Sequence, residues 1–218
     1  MRAAMRPSLR GEAVRGQLRG EPLDQVAKRF DERADRYDDD EFHKWLAAQT
    51  ATWAGASPGR VLDVGAGTGR VSGHLLRRAG NPSVVLLDVS EGMLQAARRR
   101  HPAAHAVCAD AHRLPFGDAV FDRVVCVAVD SFLSLGEFGA EAARVLCPGG
   151  DLMMTVWADP PAVANRVADA AAQAVRPAGL TIRKWEALTW PPPTSRSASH
   201  GPTSRRCVVF SARRGLAP

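Results

Sequence analysis

Nothing in the 218 residues approaches the ~20 uninterrupted apolar positions that a helix needs to cross a bilayer. The arginine-rich start, MRAAMRPSLRGEAVRGQLRG, also lacks the apolar stretch that a secretory signal carries. Together these absences make the cytoplasm the expected compartment. Cysteine is sparse: Cys108, Cys126, Cys147 and Cys207 form no C-x-x-C pair and have no histidine at zinc-ligand spacing, which excludes a zinc cluster or a disulfide framework and leaves buried thiols. Lysine occurs only at Lys28, Lys44 and Lys184, so the formal charge of +6 is almost wholly arginine. That charge is also unevenly placed. Residues 1–30 carry +4 and 176–218 carry +7, whereas 31–175 sum to −5. A nucleic-acid footprint concentrates positive charge where the chemistry occurs, and an acidic centre argues against one.

Residues 1–22 mix Arg, Gly and Pro without periodicity and are expected to be a disordered leader. Residues 23–56 read as a helical cap. Val26, Phe30, Ala34 and Tyr37 recur at three- and four-residue steps, an acidic knot at Asp38–Glu41 breaks or caps the run, and Glu41–Trp53 makes a second helix. From 57 to 218 the pattern alternates strand and helix: strands at Arg60–Val64, Ser83–Asp88, about Ala104–Cys108, Asp122–Val129 and Gly150–Trp157, with helices at Arg70–Ala79, Gly92–Arg100, Leu135–Leu146 and about Pro161–Val175. Two further strands are expected near Leu180–Leu188 and Cys207–Ala212, joined by a Pro/Ser-rich stretch at about 190–205 that reads as a mobile loop. Continuous apolar strands between helices indicate a doubly wound α/β domain with a mostly parallel sheet.

The chemistry concentrates in Val61-Leu62-Asp63-Val64-Gly65-Ala66-Gly67-Thr68-Gly69-Arg70, a strand running through a glycine turn into a helix. Missing β-carbons let a ligand approach the backbone, and the following helix N-terminus offers unpaired N–H groups. The spacing is G-x-G-x-G, and Arg70 follows it, so the G-x-G-x-x-G pattern of dinucleotide folds is not met. Strand two then ends on Asp88, nineteen residues after Gly69, where a carboxylate can accept from both hydroxyls of a ribose. The competing role for Asp88 is a turn or helix cap, with Ser90 as rival. Met93 can set its thioether against a purine face or simply fill the core.

The glycine turn with Asp63, the carboxylate at Asp88, Cys108-Ala109-Asp110-Ala111, Leu114-Pro115-Phe116 with Phe121–Val125, and Leu146-Cys147-Pro148-Gly149-Gly150 stand in one order over about residues 60–157. In that order the chain resembles the class I S-adenosylmethionine-dependent methyltransferases of small-molecule type. The resemblance implies a Rossmann-like, doubly wound, seven-stranded sheet with an N-terminal helical cap, a small-molecule substrate and S-adenosyl-L-methionine as cofactor. It implies a cofactor site of Asp63, Gly65, Ala66, Gly67, Gly69, Asp88, Met93 and Ala128, with Asp110 and the Ala111 N–H on the adenine. Phe30–Asp38 resembles the helix that such enzymes fold over the cofactor, which adds Tyr37 near the methionine end.

Methyl transfer from a sulfonium needs alignment more than a strong catalyst. Where the acceptor must lose a proton, the candidate bases are Asp130 and His43, whose plainer roles are a helix cap and a surface histidine. Asp130 and Asp159 alone do not complete an oxygen cage, so no metal is expected. Val129-Asp130-Ser131-Phe132 lacks the Asn/Asp-Pro-Pro-aromatic run of enzymes that methylate bases, which argues against DNA. Three other readings remain open at this point: an enzyme on RNA or protein that docks through the basic tails, a cofactor-binding module without catalysis, and a dinucleotide oxidoreductase. Oligomeric state does not follow from the sequence. For Asp88→Ala the expectation is weaker cofactor binding, by about 1 to 3 kcal/mol, on an intact fold.

Overall fold

The computed structural model describes residues 21–55, 59–77, 82–158, 163–190 and 205–215. The expected leader, apart from residues 21 and 22, lies outside the described residues, as does the expected mobile loop at about 190–205 apart from Trp190 and Arg205, which are strand residues. Seven strands form one sheet: β1 (Arg60–Val64), β2 (Ser83–Asp88), β3 (His105–Cys108), β4 (Phe121–Cys126), β5 (Leu146–Trp157), β6 (Leu180–Trp190) and β7 (Arg205–Arg214). Their order is β3-β2-β1-β4-β5-β7-β6. The first five strands run parallel, and β7 lies antiparallel to both β5 and β6. The doubly wound expectation therefore holds.

Helices cover both faces: α1 (Leu23–Asp31), α2 (Glu41–Ala54), α3 (Arg70–Leu76), α4 (Glu91–Arg100), α5 (Leu135–Val145) and α6 (Ala164–Val175). Alternation along the strands sorts the core in two. Leu62, Val124, Leu152 and Phe210 pack with Phe138 and Ala142 of α5 and Ala171 and Val175 of α6. Val61, Val125, Met153 and Val209 pack with Leu46 and Ala51 of α2 and with Val71 and Leu75 of α3. Because the chain winds outward from β1 through β2 and β3, then returns to β4 on the other side, the order reverses between β1 and β4. In open α/β sheets ligands bind at the carboxyl ends of the strands beside such a reversal.

Three of the boundaries that differ from the sequence reading have a local cause. The first helix stops at Asp31, and Tyr37 sits in a 3₁₀ segment, Ala34–Asp39. Asp40, in the acidic knot, is the cap of α2 and accepts from the N–H groups of Phe42 at 2.8 Å and His43 at 3.4 Å. β4 ends at Cys126 rather than Val129 because Ala128 turns to φ 59° and the chain enters a 3₁₀ turn at Asp130–Phe132. β5 starts earlier, at Leu146, through a register shift opposite Phe121 and Arg123 that absorbs the Pro-Gly-Gly run.

Candidate functional site

The three odd glycines of the turn after β1 all take positive φ, 65° at Gly65, 54° at Gly67 and 77° at Gly69. At Gly65 the reason is also space: a β-carbon there would stand 2.3 Å from Val129 Cγ2. Gly67 differs, since a β-carbon would meet only Tyr37 Cε1, 3.8 Å away. Its bare backbone faces open room under the tyrosine.

Asp88 ends β2 beside that turn. One carboxylate oxygen accepts the Gly67 N–H at 2.8 Å, and the other accepts the Ser90 N–H at 2.9 Å. Ser90 is the cap of α4, accepting from Met93 N–H at 3.1 Å, so the cap role belongs to Ser90, while Asp88, by accepting the Ser90 N–H, does take the turn role that competed with ribose binding. Burial raises the Asp88 pKa, the N–H groups of Ser90, Gly67 and Val89 pull it down, and the nearby Asp31 pushes it up again. Removing this carboxylate orphans two backbone donors. Asp88→Ala is therefore expected to cost the turn stability as well as cofactor affinity, on a fold that stays intact.

A crevice opens at these strand ends, and Tyr37 divides it. On one side lie Leu87, Asp88, Met93, Ala109, Asp110, Ala111 and His112, roofed by Leu23, Val26 and Phe30 of α1 and by Phe132 and Leu133. On the other lie His43, Ala66 and Thr68, while Gly65, Gly67 and Ala128 border both sides. Phe30 meets Tyr37 edge-on with centroids 6.1 Å apart and meets Phe132 at 5.5 Å, so the roof is a ladder of aromatic edges. Burial, then the charge of Asp88, pushes the Tyr37 phenol up to about 12, so it is neutral at physiological pH. Asp110 binds its own neighbour: one oxygen accepts the His112 backbone N–H at 2.9 Å and lies 2.8 Å from His112 Nδ1. The Ala128 N–H donates to Thr155 Oγ1 at 2.9 Å, which fixes the turn that closes the far wall.

The structure brings Tyr37, Gly65, Ala66, Gly67, Asp88, Met93, Asp110, Ala111, Ala128 and His43 to this crevice and leaves three others outside its lining. Asp63 is 1% exposed and points into the core, where Ser72 Oγ of α3 donates to it at 2.5 Å; burial lifts its pKa to about 7. It ties β1 to α3. Gly69 is the left-handed N-cap of α3. Asp130 is 4% exposed and accepts the Trp157 N–H at 3.1 Å, so it secures the end of β5. Asp159, the second carboxylate weighed for a metal, lies outside the described residues. No cluster of three or more potential metal ligands occurs among the described residues.

His43 stacks on Tyr37 with centroids 5.1 Å apart and planes 22° apart. Burial lowers its pKa, opposed by Asp40, whose carboxylate lies 3.4 Å from Nδ1. A neutral imidazole results, able to accept a proton.

Sequence reasoning missed the latch that holds this roof. Asp38 accepts from Thr68 Oγ1 and Arg70 Nε, each at 2.6 Å, and pairs with Arg100 Nη2. It thereby pins the segment carrying Tyr37 to the glycine turn and to α4. Asp31 makes a second tie, accepting from Ser90 Oγ at 2.6 Å and the Gly92 N–H at 2.8 Å. Both aspartates stand in the run Phe30–Asp38 that the sequence flagged, but among seven acidic residues between 31 and 41 nothing marks these two.

A family model described as a methyltransferase domain matches residues 61–150. Over 156 residues the chain is 40% identical to the demethylmenaquinone methyltransferase of Beutenbergia cavernae, covering 67% of this chain and 63% of that protein, so the match spans less than two thirds of that relative's length. Over 165 residues it is 33% identical to the demethylmenaquinone methyltransferase of Deinococcus radiodurans, covering 73% of this chain and 68% of that one. Among solved structures, an S-adenosylmethionine-dependent methyltransferase of Thermotoga maritima superposes with a TM-score of 0.58 at 20% identity, over 79% of this chain and 89% of that one. At that identity the likeness shows the fold.

Proposed function

The chain belongs to the class I S-adenosylmethionine-dependent methyltransferase family, and from that premise we propose that it transfers a methyl group from S-adenosyl-L-methionine to a small-molecule metabolite. One observation carries the reading: a crevice at the β1/β4 reversal whose floor is bare glycine backbone, whose rim is the Asp88 carboxylate and whose roof is an aromatic helix cap.

The residues present fit the cofactor. The open room above Gly67 admits a ligand against the backbone. Asp88 offers acceptors to a ribose diol, because a carboxylate has about four lone-pair sites and two N–H bonds leave capacity. Asp110 and the Ala111 N–H stand at the adenine end beside Met93, while the turn at 65–67, Ala128 and His43 stand at the methionine end. The Asp88 carboxylate beside the crevice suits a cationic guest. When bound, S-adenosylmethionine supplies a methyl group activated by a positively charged sulfur.

The protein's own part is then to align and to dry the site. Phe30, Tyr37 and Phe132 shut the crevice against water, and the Asp38 latch fixes Tyr37 over the glycine turn. Such positioning is worth roughly 7–11 kcal/mol of a barrier in well-oriented systems. Where the acceptor carries a proton, His43 is placed to take it. The demethylmenaquinone methyltransferase relatives suggest an acceptor with an apolar body. No helix among the described residues is long and apolar enough to cross a membrane. The four free thiols support the cytoplasm as the setting.

Titration calorimetry with S-adenosylhomocysteine and with NAD tests the reading: the first binds and the second does not. Incubation with isotope-labelled cofactor and candidate metabolites then shows the acceptor gaining one methyl by mass. Removing residues 1–22 leaves that turnover in place, whereas loss of turnover points to the tails as docking arms for a macromolecule.

A further inference from the structure

At the opposite end of the sheet from the crevice, a groove runs between the C-terminus of α2 and the face of β4, β5, β7 and β6. It is lined by Arg123, Arg183, Lys184 and Arg213, by Trp53, and by one carboxylate, Asp151. We propose that this groove is a second site, for a compact polyanion bearing a diphosphate or triphosphate group.

Three observations carry it. Four cations share a single acid. Arg213 holds Asp151 through two contacts, at 3.0 and 3.3 Å, while Arg123 reaches the same carboxylate only at 4.0 Å. Arg123 is largely buried, and that burial lowers its pKa, so its charge is poorly solvated and has little counter-charge. It spends one N–H on the Ala54 carbonyl at 3.1 Å, out of the five a guanidinium carries. Second, consecutive residues of a regular strand point to opposite faces, yet Arg183 and Lys184 both line the groove. The register shift between Ile182 and Lys184 makes this happen: the extra residue at 183 re-aims a side chain and sets two cations on one wall. Third, the groove offers about 340 Å³, against roughly 10–15 Å³ for one ordered water, so it is sized for a ligand. With Arg213 engaged by Asp151, the planar donor forks of Arg123 and Arg183 and the point charge of Lys184 are the usual means of holding phosphate.

The test is calorimetry on the full chain in about 0.15 M salt, where loose charge attraction is screened, with pyrophosphate, inorganic phosphate and ATP as probes. Pyrophosphate is expected to bind saturably, one per chain, and more tightly than phosphate. ATP binding as well as pyrophosphate identifies the phosphate chain alone as the ligand, and ATP binding more tightly identifies a nucleoside polyphosphate that also uses Trp53. The exposed pair Arg183→Gln/Lys184→Gln is expected to weaken binding at least about tenfold, the loss of two charge-assisted contacts, while S-adenosylhomocysteine affinity is unchanged. Asp151→Asn removes the lone acid and is expected to tighten binding several-fold, a gain that misfolding cannot mimic. Absence of saturable heat overturns the site, as does full-strength binding in the double variant or no tightening in Asp151→Asn.

Discussion

Asp88→Ala separates the two jobs the structure gives that carboxylate. Inside the protein it closes the Gly67 and Ser90 N–H groups. An orphaned buried donor costs about 1–3 kcal/mol, but water can enter the crevice and solvate Gly67, and deletion also removes an unfavourably buried charge. The net loss of folding stability is therefore set at about 1–3 kcal/mol, against a total that for most domains is only about 5–15 kcal/mol. Toward the cofactor the same group offers acceptors to the ribose, and their removal costs another 1–3 kcal/mol, or about 5- to 150-fold in affinity. Urea denaturation reads the first loss and calorimetry with S-adenosylhomocysteine reads the second. Asp88→Asn is the control. It keeps one acceptor oxygen but turns an NH₂ toward a backbone donor, so it recovers part of each loss and not all. Because it also removes the charge, it weakens S-adenosylmethionine more than the uncharged-sulfur product. Full affinity in both variants would remove Asp88 from the cofactor site, and full stability in Asp88→Ala would refute its hold on the glycine turn.

Asp63→Asn addresses a buried acid whose pKa stands at about 7, against an ordinary 3.8. Between those values the folded chain keeps a proton that the unfolded chain has released. Stability therefore falls as pH rises, by about 1.4 kcal/mol per unit at most, and the penalty is complete above about pH 7. The variant's stability relative to the parent is expected to improve by a few kcal/mol between pH 4 and pH 8 in urea titrations; a gap that ignores pH would contradict the assignment. Asp38→Asn is expected to loosen the roof, lowering affinity for S-adenosylhomocysteine roughly three- to tenfold, in the range of one net hydrogen bond, and raising hydrogen exchange at 34–40; unchanged exchange there would argue against the latch. His43→Gln is expected to leave S-adenosylhomocysteine affinity within about twofold while removing the acid limb of the turnover pH profile. A profile that keeps that limb assigns the proton transfer elsewhere.

Strand positions were legible because buried parallel strands are continuous apolar runs and β1 and β2 are bounded by turn residues; both match the sequence reading to the residue. Edges governed by backbone conformation were not. The end of β4 depends on Ala128 adopting φ 59°, and composition gives no warning of a left-handed alanine. The crevice was legible in outline from Gly65, Gly67 and Asp88, since missing β-carbons and a strand-end carboxylate carry their reasons locally. Asp63 and Asp130 were harder, because a carboxylate in a motif can face the ligand or the core, and only the sheet's alternation and the contacts with Ser72 and Trp157 decide. The Asp38 latch depends on four residues from three separate stretches of chain, which no local pattern can display.

The sign of the charge at the glycine turn bears on the dinucleotide reading that the sequence left open. A dinucleotide fold presents its third glycine and a helix N-terminus to a pyrophosphate, an anion that needs unpaired N–H groups and no competing acid. Here the start of α3 is already met by an acid: Asp38 takes the Thr68 hydroxyl and the Arg70 guanidinium, and Arg100, the other nearby cation, is paired to the same carboxylate. Asp88 adds a second negative group at the Gly67 N–H. A pyrophosphate brought to this turn would find the Gly67 N–H already bonded to Asp88 and the Arg70 and Arg100 cations already engaged by Asp38. The anion-binding capacity of this chain lies instead at the far end of the sheet, where Arg123, Arg183, Lys184 and Arg213 outnumber one aspartate. The two sites stand at opposite ends of the sheet, and S-adenosylhomocysteine and pyrophosphate are expected to bind without competing.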